Sequence, residues 1–319
     1  MLIKLLKTFL LFIIFSIVVA MVGFFYTKSY LNETISVPKT VFIPKGSTKS
    51  AMRALKNSGI DISDYDYQLV KLIGYPQAGW IELGKTNMSR SEFFIRITKS
   101  KSAVKSVTII PGETKELFFK EISKKLDLNV TKLHIAYKNI APYPDGVILA
   151  ETYSVPAGMG EKALVEYLVK SSLDEHKELS QKFLNHYDEK EWFQKYITTA
   201  SIITKEAGNT KEMPLVSAVI ANRLKKGMNL QMDGTLNYKY QSHKKVTPKM
   251  IKEDNSRFNT YKNAGLPPHP ICAVTKESIK SAIKPANVNY LYFVRSEKGK
   301  HAFTHSYKTH LQNIKKSNK

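Results

Sequence analysis

The hydrophobic pattern changes character several times along the chain. From Phe9 to Tyr26 eighteen residues run without a charge, and at about 1.5 Å each they make roughly 27 Å of helix, close to the hydrocarbon thickness of a bilayer. Thr27 to Pro38 is polar and reads as a linker whose extended reach is on the order of 40 Å. Beyond it, short β-like runs alternate with stretches of helical period. Thr40 to Ile43 predicts a strand, Pro44, Lys45 and Gly46 a turn, and Ser47 or Thr48 the cap of a helix carrying Met52 and Leu55. A helix is expected over Tyr65 to Ile73, a short strand over Trp80 to Leu83, and a further helix from Ser91 bearing Phe93, Phe94 and Ile97. Val107 to Ile110 is again a strand, ending in Pro111 and Gly112. Aligning Thr48 with Thr114 superposes Gly46 on Gly112 and Val41 on Val107, one strand, turn and capped-helix unit used twice; recurrence of common turn chemistry explains this equally well.

Residues 115–190 follow a mostly helical pattern with Leu117, Phe118, Ile122 and Leu126 in register, interrupted from Ala141 to Pro156. The interruption holds Asp145, Gly146, Glu151, Thr152 and Tyr153, which suits either a cleft wall or an ordinary surface loop. Trp192 to Ala207 reads as one helix with Tyr196, Ala200, Ile203 and Ala207 on its apolar face, and Glu206 near its end. Ile202 and Ile203 lie one turn before Glu206, and apolar neighbours raise a carboxyl pKa towards neutrality. Ala207 and Gly208 leave room beside it. A solvated glutamate at a helix end is the plainer alternative. Pro214 then fits a helix start, Val216, Val219, Ile220 and Leu224 a buried face, and Gly227 a stop. Gln231, Asp233, Asn259 and Tyr261 follow at element ends, ahead of a strand from Tyr290 to Val294. Amides, hydroxyls and rings so placed are what a sugar polymer needs for hydrogen bonding and stacking.

Composition narrows the picture. The 319 residues are about twice a 150-residue domain, which predicts two folded units and an appendage. Apolar residues make up 43% of the chain, enough for a sizeable core, and a single cysteine, Cys272, excludes an intramolecular disulfide or a multi-thiolate metal site. The net charge of +22 predicts attraction to nucleic acid, acidic lipid or an anionic wall glycan. Lys4 and Lys7 before the apolar segment and Lys28 after it favour a cytoplasmic N-terminus and an exported body. A signal-peptide cleavage near Val18 and Ala20 is disfavoured by the apolar Val22, Phe24 and Phe25 that follow. An exported body with no nucleic-acid-binding motif disfavours nucleic acid. His301, His305 and His310, or His269 with Cys272, match no zinc spacing, so no metal and no cofactor are expected. His301 is expected in the cleft or as a capping residue.

The succession Lys205-Glu206-Ala207-Gly208, Ala221-Asn222-Arg223-Leu224, Leu230-Gln231-x-Asp233, Asn259-Thr260-Tyr261, Gly265-Leu266-Pro267-Pro268-x-Pro270-Ile271, Pro285-Ala286 and Tyr290-Leu291-Tyr292-Phe293-Val294 closely resembles the YceG-like family of endolytic murein transglycosylases. The resemblance is strong over residues 190–310 and looser through Asp145-Gly146 and Glu151-Thr152-Tyr153. Departures are Met232 and Gly234 in place of Thr and Pro beside Asp233, Ala150 in place of a Pro, and Leu311 in place of Asn after His310. The resemblance implies an α+β protein with a short tail (1–8), a transmembrane helix (9–26), a linker (27–38), a small LysM-like α+β module (39–104) and a larger α+β catalytic domain (105–319). It implies a membrane-anchored lyase, single-pass in the plasma membrane with its body outside the cytoplasm. Such an enzyme cleaves the MurNAc-GlcNAc bond within nascent glycan strands, leaves 1,6-anhydro ends and limits strand elongation. Glu206 matches the catalytic glutamate; Tyr153, Gln231, Asp233, Asn259 and Tyr261 are assigned to substrate binding. The expected partners are peptidoglycan strands and the membrane, with wall synthases of the penicillin-binding class as candidates. Two alternatives stay open: a hydrolase that pairs Glu206 with Asp233, and a non-catalytic wall-binding scaffold.

Overall fold

The computed structural model describes residues 2–99, 104–156, 158–242, 244–296 and 300–317. The chain divides into two compact units, Met1–Lys105 with Ser154–Met159, and Ser106–Tyr153 with Gly160–Lys319. Both mix helix and strand, as the hydrophobic pattern predicts.

The first unit opens with α1 (Leu2–Asn32), of which Lys7–Asn32 is long and apolar enough to cross a membrane. It continues through β1 (Thr34–Ser36), β2 (Thr40–Ile43), α2 (Thr48–Asn57), α3 (Asp64–Ile73), β3 (Gly79–Glu82), β4 (Asn87–Ser89) and α4 (Arg90–Lys99). β1 pairs with β4 and β2 with β3, both antiparallel, and the β2–β3 register sets Val41 against Ile81 and Phe42 against Trp80. Period-two alternation then buries Val41, Ile43 and Ile81 against Met52, Leu55, Phe93 and Ile97, leaving Phe42 outside. Ser47 caps α2 by accepting the Ser50 N–H, and a reciprocal capping box of Ser63 and Asp66 starts α3.

The expected linker over Thr27 to Pro38 is a correction. α1 runs on to Asn32, Tyr30 and Leu31 pack against the core, and Ile35 and Val37 are buried. The stretch looks like a linker because its polar side chains face out; the few apolar ones are anchored.

In the second unit, β5 (Val104–Thr108), which starts in the first, leads to α5 (Lys115–Leu126) and α6 (Val130–Ile140); β6 (Thr152–Pro156), paired with β5 and counted with the first unit from Ser154, precedes α7 (Glu161–Leu184). A continuous helical run follows: α8 (Glu189–Glu191), a π-helical segment Trp192–Ile197, and α9 (Thr198–Glu206). The remaining elements are α10 (Met213–Lys225), α11 (Asp233–Leu236), α12 (Pro248–Glu253), α13 (Lys276–Ile283), β7 (Tyr292–Arg295), β8 (His301–Thr304) and α14 (Tyr307–Ser317). α9 is the centre of this unit, packed on α10 and α13. The π segment corrects the single regular helix expected from Trp192. Its wider turn, with Thr198 Oγ1 bonded to the Phe193 carbonyl at 2.8 Å, shifts the buried stripe to Trp192, Phe193 and Ile197 and leaves Tyr196 half-buried. Behind it, Trp192 Nε1 donates to His176 Nδ1 at 3.1 Å, and His176 Nε2 lies 3.1 Å from the Val147 carbonyl. That pattern requires a neutral imidazole, and burial pushes the His176 pKa down to about 4.

Candidate active site

Glu206 is the last residue of α9, half-buried beyond the fully buried Ile202 and Ile203. The chain returns to it at the start of α11, where the Gly234 N–H donates to Glu206 Oε1 at 2.6 Å. A Cβ on Gly234 would stand 2.7 Å from Lys205 Cβ and 2.9 Å from Glu206 Oε1, so this approach requires glycine. The Lys205 ammonium turns away to Ser242 Oγ, 2.8 Å distant, and does not neutralise the neighbouring carboxyl. Burial, and after it the charge of Asp233, pushes the Glu206 pKa up to about 7, against the opposing pull of the Gly234 N–H and Lys205. The carboxyl is thus poised to give and take a proton near neutral pH.

Glu206 opens into a cavity of about 380 Å³ shared with Gln231, Asp233, Tyr261, Arg223 and His301. Gln231 holds a positive φ of 51°, its N–H donates to the Thr260 carbonyl at 3.1 Å, and its side-chain oxygen accepts from Arg223 Nη1 at 3.3 Å. Tyr261 donates its hydroxyl to Asp233 Oδ1 at 2.6 Å. The structure therefore brings Gln231, Asp233 and Tyr261 together around Glu206.

Two expected substrate-binding residues are not at the cavity. Asn259 is fully buried; its amide donates to the Ile251 and Asp254 carbonyls at 2.9 and 2.7 Å, and its Oδ1 accepts the Tyr261 N–H at 3.1 Å. It shapes the loop that carries Tyr261. Tyr153 is also buried, its hydroxyl 2.8 Å from Ser172 Oγ and 3.0 Å from the Leu149 carbonyl. Both side chains spend their donors inside the protein and are buried away from the surface a sugar would reach.

Two contributors were not assigned from sequence. Buried Arg223 ties the cavity walls together, with Nε on the Leu291 carbonyl and Nη1 on the Leu230 carbonyl, both at 2.7 Å. Leu224, expected in the core, is 36% exposed. Glu212 accepts the Gly208 N–H at 3.2 Å and the His301 N–H at 3.1 Å, with His301 Nδ1 2.7 Å away. Burial alone would raise the Glu212 pKa; its bonds to His301 prevail and hold it below the ordinary carboxyl value. His301 lines the cavity, as expected for a cleft residue. Among the described residues no three His, Cys, Asp or Glu side chains form a metal-binding group.

Residues 41–316 match the YceG-like family. The chain is 29% identical to the endolytic murein transglycosylase of Bacillus subtilis (strain 168) over 90% of its own length and 88% of that protein's. It is 26% identical to the endolytic murein transglycosylase of Streptococcus pneumoniae (serotype 2, strain D39), over 53% of this chain and 31% of that one. In fold it resembles the 2.6 Å crystal structure of a YceG-like protein from Listeria monocytogenes, with a TM-score of 0.55 at 24% identity, covering 88% of this chain and 99% of the other.

Proposed function

The chain belongs to the YceG-like family, and from that premise we propose that it is an endolytic peptidoglycan lytic transglycosylase with Glu206 as its acid and base. The observation that carries this reading is a half-buried glutamate, held by one backbone N–H, in a cavity with hydroxyl, amide and guanidinium groups around it.

Gly234 occupies Oε1, leaving Oε2 without a protein partner among the described residues. From Oε2 the protonated acid gives its proton to the glycosidic oxygen between N-acetylmuramic acid and N-acetylglucosamine, which leaves as a neutral hydroxyl. The C1–O bond breaks towards an oxocarbenium-like state sheltered by the substrate's own N-acetyl oxygen. Ionised Glu206 then removes the C6 hydroxyl proton as that oxygen bonds to C1. A 1,6-anhydro end forms, the acid is regenerated, and no water is consumed. Gln231, Asp233 and Tyr261 position the strand, and Arg223 and Glu212 with His301 hold the walls.

A second reading, hydrolysis, is favoured by one observation: Asp233 shares the cavity with Glu206 and offers a second carboxylate. Mass spectrometry of digested glycan separates the two. Anhydro ends are expected; reducing ends would move the assignment to a hydrolase, and intact strands to a wall-binding scaffold.

α1 serves in this reading as a single-pass plasma-membrane anchor with a cytoplasmic N-terminus. The residue 39–104 module is a LysM-like glycan-binding unit, and residues 105–319 are the catalytic domain. With α1 in the membrane, the enzyme works on nascent strands beside their synthases and sets strand length.

A further inference from the structure

The second unit holds another cavity, of about 410 Å³, between the start of α5 and the end of α6. Glu116, 9% exposed, accepts from the Lys115 ammonium on Oε1 at 3.1 Å, while its buried Oε2 has no partner among the described residues. A buried carboxylate oxygen without a donor is costly, so it marks a place where a donor is meant to arrive. Exposed Lys138, on the same lining, has no acidic partner among the described residues. The His134 ring is set edge-on to Phe119, and burial lowers its pKa, favouring the neutral form. The remaining wall is apolar: Pro142 and Tyr143, the latter stacked on Phe193 at 4.8 Å and fixed by a bond from the Tyr137 hydroxyl to its carbonyl.

This cavity is joined to the active site by one hydrogen-bonded segment. Lys205, next to Glu206, donates to Ser242, which donates to the Gly112 carbonyl at 3.3 Å. Two residues on, Thr114 Oγ1 donates to the Lys239 carbonyl at 3.0 Å, and the Lys115 N–H donates to Asp145 Oδ1 at 2.8 Å.

We infer that this cavity is a subsite for the peptide branch carried by the muramic residues of the strand. Amide N–H donors, a free carboxylate and alanyl methyls are what such a peptide offers, and Glu116 Oε2, Lys138 and the Pro142-Tyr143 wall are their complements. The inference rests on the transglycosylase reading above and deepens it: the preferred substrate carries its peptides.

Steady-state kinetics of the full chain in detergent test it, using peptide-bearing strands and the same strands stripped by an amidase. The KM for peptide-bearing strands should be about tenfold lower, the value of one charge-assisted contact. Lys138→Glu, an exposed substitution, should raise that KM to the stripped-strand value without lowering kcat. Equal KM values for the two substrates in the wild type, or a peptide-bearing KM unchanged by K138E, would overturn the subsite and leave the transglycosylase reading standing. Failure to cut either substrate would overturn both.

Discussion

Each unit takes a carboxyl out of water, and the two treat it differently. In the first, Asp66 is fully buried, and its Oδ2 accepts the Ser63 N–H at 2.8 Å and Arg90 Nη1 at 2.9 Å. Arg90 also pairs with Asp61, and its guanidinium lies over the Tyr30 ring, 4.5 Å from the centroid. In the second, Glu206 receives one backbone N–H, its adjacent lysine is bonded elsewhere, and the like charge of Asp233 in the same cavity raises its pKa further. Burial is common to both. Of these two carboxyls only Asp66 has a counter-charge in hydrogen-bond contact, and its absence is what leaves Glu206 able to exchange a proton.

The contrast can be broken from either side. Arg90→Met strands Asp66 in an apolar setting and should cost about 3–5 kcal/mol of stability in the first unit, read as faster amide exchange across β2 and β3. A loss under about 1 kcal/mol would mean that the ion cluster behaves like a surface pair. Glu206→Gln should lower glycan cleavage by about a hundredfold or more, with strand binding retained. Unchanged turnover would remove Glu206 from the chemistry.

The smallest effect is on stability, and its sign is opposite to that of Arg90→Met. A folded-state pKa of about 7 exceeds the ordinary 4.5, so the unfolded chain loses this proton first as pH rises. The glutamate therefore costs nothing below 4.5, costs progressively more up to about 7, and its full penalty persists above that. E206Q should melt above the wild type at pH 8, with the gap closing at pH 4. A gap independent of pH would separate the stability effect from titration.

Local chemistry was legible in the sequence where it is contiguous. The apolar run of α1, the Ser47 cap, and Glu206 at a helix end behind Ile202 and Ile203 all follow from neighbours within one turn. Gln231, Asp233 and Tyr261 stand out as polar groups at element ends. What sequence did not show depends on partners far along the chain. Glu212 and His301 meet across 89 positions. The π segment needs a hydrogen-bond shift that the 3.6-residue period does not report. Tyr153 and Asn259 look available until their buried partners, Ser172 and the Ile251 and Asp254 carbonyls, are known. Thr27 to Asn32 looks like a linker until Tyr30 is placed against the core.

The most direct test of the central claim is the titration of Glu206 itself, by carbon-13 NMR of the labelled side-chain carboxyl, assigned by its loss in E206Q. A midpoint of about 7 is expected, and a midpoint at the ordinary 4.5 would contradict a proton-exchanging Glu206.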